Sequence, residues 1–221
     1  MKKSGFTLAE VLITLGIIGV VAAITIPSLI QNNKAARLRS QFLKSYSTIQ
    51  QAFRQMEADD VSTDPSSYGD NTFYKTFGQY LKVAVHCGNY SANKSPVCWT
   101  INAPYKTLNN KNNAYTDYFD NGQFVLMDGT NVLMENYAKR LYVSVDLNGY
   151  KTKPNRWGYD LFTFEFIDGE LRTMGSPGTT HSANLEKYCS LTDNSSLNGI
   201  TCAHKAKNDS DYFKWVIKNI K

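Results

Sequence analysis

The sequence lacks the common motifs of catalysis. It contains no G-x-S-x-G, no H-E-x-x-H and no glycine-rich phosphate-binding loop. Its three histidines, His86, His181 and His204, do not occur in the recognisable sequence context of a catalytic nucleophile. The sequence therefore predicts a protein that is not an enzyme and that holds no cofactor.

Charge is nearly absent close to the N-terminus. Between Lys3 and Lys34 the only ionisable side chain is Glu10. As a helix, the stretch from Phe6 to Ile30 would be about 38 Å long, whereas the hydrocarbon core of a bilayer is roughly 30 Å thick. A buried helix of a soluble domain rarely contains so long an apolar run, so residues 6–30 are predicted to span a membrane or to form a cleaved signal.

An ordinary secretory signal is the alternative. Lys2 and Lys3 supply a positive start, and Val21-Ala22-Ala23 offers small residues for cleavage. However, Glu10 would lie inside the apolar region of that signal, and the apolar run continues as far as Ile30. Both features favour a membrane segment.

The whole composition is that of a globular domain with an anchor. Of the 221 residues, 42% are hydrophobic and 19% are charged, and the net charge is +5. Lys and Arg are dispersed among acids, so no nucleic-acid partner is expected. The one basic cluster follows the apolar run and is interpreted as a solvated helix face near lipid headgroups; it comprises Lys34, Arg37, Arg39 and Lys44.

The N-terminus carries a recognisable order of residues. It reads Met1-Lys2-Lys3-Ser4-Gly5-Phe6-Thr7-Leu8-Ala9-Glu10, and an apolar run with Pro27 near its end follows. This order resembles the type IV prepilin and type II secretion pseudopilin family. The resemblance implies that residues 1–5 are a leader, that a prepilin peptidase cuts between Gly5 and Phe6, and that Phe6 becomes a methylated N-terminus.

The resemblance also implies partners and a location. The partners would be other pilin or pseudopilin subunits, an inner-membrane assembly platform and membrane lipid. The chain would cross the bacterial inner membrane once, with its C-terminal domain in the periplasm. The distribution of charge points the other way, because two lysines precede the apolar run and four cations follow it, which the positive-inside rule associates with the opposite orientation.

Glu10 is the predicted assembly residue. A lone carboxylate near bilayer depth costs about 2.5–3.5 kcal/mol and requires a partner. The terminal amine of Phe6 after cleavage, on the same or a neighbouring chain, is the expected partner. The alternative is a glutamate that is merely tolerated at the interface.

Beyond the membrane the helix is expected to continue. Apolar residues recur every three or four positions as far as Met56, which predicts one buried stripe on a helix over residues 6–56. Pro27 is expected to bend or locally melt this helix. The stripe comprises Ala35, Leu38, Phe42, Tyr46, Ile49, Phe53 and Met56.

Residues 57–221 are predicted to form a small globular domain. A short helix is expected to begin near Phe73 and end before His86, and the polar segment 102–122 is expected to be an exposed loop. Five strands are predicted. QFVLM and NVLME flank the hairpin signal at residues 128–130, RLYVSVD is the third, and LFTFEFI, with phenylalanines alternating on one face, is the fourth. Asp168-Gly169 then turns the chain into the fifth, from Glu170 to Met174. The predicted fold class is α+β, with a long N-terminal helix packed on a small antiparallel sheet.

A loop between two predicted strands is a candidate calcium site. Asp146, Asn148 and Asp160 place oxygen ligands around a glycine-containing loop, which suits a hard cation. The loop resembles one common in pseudopilin-like domains, some of which bind calcium. The alternative is an Asx-rich turn that satisfies its own backbone.

Four cysteines allow three disulfide pairings. Cys87–Cys98 and Cys189–Cys202 are favoured because each closes a short loop, and disulfides indicate an oxidising compartment. Zinc is the rival explanation because His86 and His204 lie close to cysteines, but the spacings of eleven and thirteen residues do not suit a structural zinc site. Free thiols are the third alternative.

Three functions are compatible with these features. The first is a structural filament subunit of a pilus or pseudopilus, with type II secretion as the favoured machine. The second is a minor pilin that acts as a binding module for a surface, DNA or cargo. The third is an exported soluble protein with an ordinary signal peptide.

Overall fold

The first helix is the longest element of the protein. The computed structural model describes residues 5, 7–69, 71–89, 95–137 and 140–220. Helix α1 (Leu8–Ala58) contains 51 residues, which corresponds to about 77 Å. The helix continues without interruption through Pro27. Of the two effects predicted at that proline, local melting therefore does not occur.

The second half of α1 packs on the rest of the domain. All seven residues of the predicted stripe are buried, so the stripe is confirmed. Its aromatic members contact phenylalanines of the sheet: the ring centroids of Phe42 and Phe162 are 4.9 Å apart, and those of Phe53 and Phe166 are 4.0 Å apart. Apolar burial along this stripe fixes the helix on the sheet.

Six antiparallel strands form one sheet, and each strand pairs with the next along the chain. The strands are β1 (Val83–Gly88), β2 (Gly122–Leu126), β3 (Asn131–Tyr137), β4 (Arg140–Asp146), β5 (Leu161–Ile167) and β6 (Glu170–Thr173). The five predicted strands and the α+β class are confirmed. Strand β1 was not predicted, because register irregularities interrupt its pairing with β2 and several of its side chains are exposed.

Different parts of the chain pack on the two faces of the sheet. Side chains such as Val132, Met134 and Val143 belong to the core that α1 completes. The opposite face carries Leu133 and Tyr142, which pack in a second core. Irregular segments supply the rest of that second core, including Trp99, Tyr105, Tyr118, Phe119 and Trp157.

The segment 102–122 was expected to be an exposed loop, and that expectation is wrong. The segment is largely irregular, but Tyr105, Leu108 and Phe119 are buried. Tyr105 and Phe119 belong to the second core, whereas Leu108 belongs to the core that α1 completes. The polar residues between them, such as Asn109, bond to the backbone of residues 191–193 and keep the segment attached.

Short helices complete the domain. They are α2 (Phe73–Phe77), α3 (Cys202–Asn208) and α4 (Tyr212–Asn219), together with 3-10 turns at Pro65–Ser67, Gly78–Tyr80, Thr116–Tyr118 and Ser182–Asn184. Helix α2 and the turn after it agree with the short helix predicted near Phe73. Helices α3 and α4 were not predicted. The Phe213 ring of α4 lies 6.0 Å from that of Phe42, so α4 covers part of α1.

Candidate functional site

The start of α1 is held by a capping box. The Thr7 side-chain oxygen accepts a hydrogen bond from the backbone N–H of Glu10 at 3.2 Å, and the Glu10 carboxylate accepts one from the Thr7 backbone N–H at 2.8 Å. These two bonds satisfy N–H groups that a helix leaves free at its first turn. Gly5 lies just before this turn, and Phe6 lies outside the described residues. Glu10 therefore caps its own helix in the unprocessed chain.

The first half of α1 has no cover. Every Leu, Ile and Val from Leu8 to Ile30 is exposed, and the first buried residue of the helix is Ala35. Within the described part of the chain, α1 is the one helix long and apolar enough to cross a membrane. A Cβ atom at Gly16 or Gly19 would meet nothing within 4 Å, so both positions are open to close approach by another helix.

The four cysteines form two local disulfides. Cys87 is bonded to Cys98 with a Cα–Cα distance of 5.8 Å, and Cys189 to Cys202 with one of 5.0 Å. Their sulfur atoms are thereby occupied, which leaves no thiolate for the zinc alternative. The second bond ties the irregular segment before α3 to the first residue of that helix.

Asp146 and Asp160 form a buried pair of carboxylates. Tyr105 Oη and the Asn148 backbone N–H donate to Asp146, at 2.9 and 3.3 Å. The backbone N–H groups of Asn155 and Arg156 donate to Asp160, at 3.0 and 2.7 Å. Each of the four carboxylate oxygens thus accepts a hydrogen bond from the chain itself. The pair ties together the end of β4, the β4–β5 loop (residues 147–160) and the segment around Tyr105.

Burial makes the ionised form of this pair unfavourable. It raises the pKa of Asp160 to about 6. Burial, followed by the charge of Asp160, raises the pKa of Asp146 well above its ordinary value. Two carboxyls in such a site favour either a retained proton or a neutralising cation.

Unpartnered amide oxygens add to the calcium candidate. Asn148 and Asn155, whose backbones bind the two carboxylates, each have a buried side-chain oxygen without a hydrogen-bond partner. Asn131 also lacks partners for its amide atoms, and it is the cross-strand neighbour of Asp146. Most of these candidate ligand atoms are amide oxygens. The described residues include no group of three or more His, Cys, Asp or Glu arranged to hold a metal ion. Sequence reasoning missed Asn131 because only the strand register brings it beside Asp146.

A second group of acids was not predicted. Glu135 of β3 is 6% exposed and shares a hydrogen bond with Asp120. Burial and then this acidic partner raise the pKa of Glu135 to about 9. Asp117, Arg140 and Tyr142 line the same open pocket. No sequence pattern indicates this pair, because the two residues are fifteen positions apart and Asp120 belongs to the irregular segment.

Comparisons with known proteins address the N-terminus. A family model described as the prokaryotic N-terminal methylation motif matches residues 1–26. Comparison with curated proteins and with solved structures finds no match. The matched residues include the Gly5-Phe6 junction, Glu10 and most of the uncovered apolar run of α1. Residues 1–26 therefore carry the signature of type IV prepilins and pseudopilins, on a chain whose N-terminal helix is long and apolar.

Proposed function

We propose that the protein is a structural subunit of a pilus or pseudopilus. It would be inserted in the membrane by the first half of α1 and assembled into a filament through the same surface. One observation carries this proposal: the methylation motif, matched over residues 1–26, overlaps 23 residues of helix, Leu8–Ile30, in which every Leu, Ile and Val is exposed. An uncovered apolar helix of this length needs lipid or other helices around it.

Processing is the first step of the proposed function. A prepilin peptidase would cut between Gly5 and Phe6 and methylate the new N-terminal amine of Phe6. Glycine at the cleaved position supports this step, because it leaves the backbone unobstructed for a protease. The resulting chain would consist of the helix and the domain, without the basic leader.

Membrane insertion and location follow from the same surface. Residues 6–30 would cross the inner membrane, and the domain would lie in the periplasm, where an oxidising environment suits two disulfides. The partners would be the prepilin peptidase, an inner-membrane assembly platform and other subunits of the filament. Type II protein secretion is the machine we propose, on the likeness of the N-terminus to pseudopilins.

Assembly would depend on Glu10. Aliphatic helices that pack side by side can slide along each other, and a single buried charge pair fixes their register. We propose that the Glu10 carboxylate pairs with the Phe6 amine of a neighbouring subunit. The capping box offers a competing explanation, since Glu10 also stabilises the first turn of its own helix.

Two substitutions separate these explanations. Glu10→Gln keeps an oxygen that can accept from the Thr7 N–H, but it removes the charge, whereas Glu10→Val removes both. If the charge pair is required, both variants should be processed and inserted, and both should be missing from filaments made by wild-type chains. Thr7→Val, which weakens the cap and keeps the charge, is the control and should still assemble.

The measurement is membrane fractionation combined with counting tagged subunits in sheared filaments. Incorporation of the Gln variant at the wild-type level would show that the cap, not the charge, is what Glu10 supplies. Incorporation of the Val variant would show that Glu10 is only a tolerated interface residue.

A further inference from the structure

The end of the domain nearest the apolar half of α1 is basic. From Gln31 to Met56 the helix contains no acidic residue, and the β4–β5 loop contains none before Asp160, which is buried. Six cations on these two segments are exposed. Lys44 forms an ion pair and Arg54 lies near the far end of the helix, which leaves Lys34, Arg37, Lys151 and Lys153. We refer to these four residues as the basic rim.

Contacts with α1 place the β4–β5 loop close to the end of the apolar run. The side-chain amide of Gln41 donates to the Leu147 carbonyl at 3.3 Å, where the loop begins. The Lys34 ammonium lies 5.3 Å from the centre of the Tyr159 ring, where the loop ends. Lys34 is four residues after Ile30, which is about 6 Å along a helix. The end of the loop therefore lies beside α1 at the depth expected for lipid headgroups, and its start lies about 16 Å along the helix from Ile30.

Two other cations of this region are already engaged. Lys44 forms an ion pair with Asp128 at 2.6 Å, and Arg39 donates to the Asp209 carbonyl at 3.1 Å. They are not part of the basic rim. Within the rim, Lys34 and Lys153 lie over the faces of Tyr159 and Tyr150, so their charged ends are held beside aromatic rings and are not neutralised by carboxylates.

We propose that the basic rim binds an anionic lipid surface while the subunit is in the membrane. This inference rests on the proposed function, because it needs residues 6–30 to cross the bilayer. The potential of an anionic membrane falls off within a Debye length, about 8 Å at physiological ionic strength, and the rim begins within that distance of the apolar segment. The contact fixes the domain against the membrane, and it is broken when the subunit moves into a filament.

Hydrogen exchange in nanodiscs tests this inference. The full chain is reconstituted at one copy per disc, which excludes contacts between subunits, in discs of phosphatidylcholine alone or with phosphatidylglycerol. Backbone amides of residues 147–160 should exchange about fivefold more slowly in the anionic discs, as expected for roughly 1 kcal/mol from a cation at the surface. The difference should disappear at high salt.

Matched variants show which cations are responsible. Lys151→Gln with Lys153→Gln should abolish most of the difference between the two kinds of disc. Arg54→Gln with Lys75→Gln removes the same charge far from the membrane and should leave the difference intact. Arg54 is about 36 Å along the helix from Ile30, and α2, which carries Lys75, packs against Phe53.

The outcomes separate this inference from the proposed function. A chain that does not enter discs at all contradicts membrane insertion and therefore the proposed function. A chain that enters both kinds of disc but exchanges equally in them overturns the lipid contact alone. If the Arg54/Lys75 variant lost as much protection in anionic discs as the Lys151/Lys153 variant, the lipid contact could not be assigned to the basic rim.

Discussion

Glu135 combines almost complete burial with an acidic neighbour. Its pKa of about 9 lies far above the ordinary value of 4.5, and burial is the main cause. Between these two pH values, the folded protein therefore retains a proton on Glu135 that the unfolded chain has already released. Its contribution to stability is fully present below about pH 4.5 and is lost as the pH rises through 9.

We expect Glu135→Gln to remove this pH dependence. Glutamine resembles the protonated acid and does not ionise, so the melting temperature of the variant should change less between pH 7 and pH 9.5. In the wild type, we expect ionisation of Glu135 to lower the melting temperature by roughly 5 °C over that range. Thermal melts of the full chain in detergent measure it. Glu170→Gln, at an exposed acid paired with Arg172, is the control, and an unchanged slope in the Glu135 variant would contradict the assignment.

Calcium binding is a separate prediction for the Asp146–Asp160 pair. A cation there would replace the retained proton and use the unpartnered oxygens of Asn131, Asn148 and Asn155. Millimolar calcium should then raise the melting temperature, more at pH 7.5 than at pH 5, because a ligand that binds only the folded state stabilises it. Asp146→Asn should abolish the shift. No shift, or one that survives this substitution, would leave a hydrogen-bonded Asx turn as the explanation.

At the scale of elements, the two halves of α1 have different roles. The second half stabilises the domain through its stripe, and Phe53 is stacked on Phe166 and tilted against Phe77, with ring centroids 4.0 and 4.7 Å apart. Phe53→Ala should therefore lower the free energy of unfolding by about 3–5 kcal/mol. Leu43→Ala, on the exposed side of the same helix, should change it by less than about 0.5 kcal/mol. Denaturant titration of both variants in detergent checks the contrast, and equal losses would contradict the packing described for α1.

Strong periodicity explains which elements the sequence could predict. The stripe of α1 and the alternating Phe162, Phe164 and Phe166 of β5 repeat over enough residues to specify both the element and its face, and glycine-containing turns follow β2 and β5. Helices α3 and α4 have only seven and eight residues, and tertiary contacts such as Phe213 with Phe42 hold them in place. The apolar pattern of α4, at Tyr212, Phe213 and Val216, covers only about two turns, and so short a helix depends on tertiary packing.

The same distinction between local patterns and tertiary contacts applies to the candidate functional residues. The N-terminal motif is contiguous, so its residues were identified directly from the sequence. Asn131 and Asp146, or Asp120 and Glu135, come together only through strand register and an irregular segment. Sequence spacing contains no information on such pairs until the fold is known.

At the scale of the whole molecule, the state of the four cysteines tests whether the domain lies in an oxidising compartment. We predict that the protein from native membranes contains Cys87–Cys98 and Cys189–Cys202 and no free thiol. Each bond should contribute about 3 kcal/mol by restricting the unfolded chain. Peptide mapping without reductant measures the pairing. A Cys87–Cys202 peptide would contradict the local pairing, and full alkylation of unreduced protein would contradict an oxidising location.

The helix and the N-terminal motif support the proposed processed membrane subunit, and the mature N-terminus would record that processing. The intact mass of the protein purified from native membranes is the most direct test. We predict a chain that begins at Phe6 and carries one added methyl group. A mass that includes Met1 to Gly5 would contradict processing at the predicted junction, and a chain that begins at Ile24 would identify an ordinary cleaved signal and contradict the account as a whole.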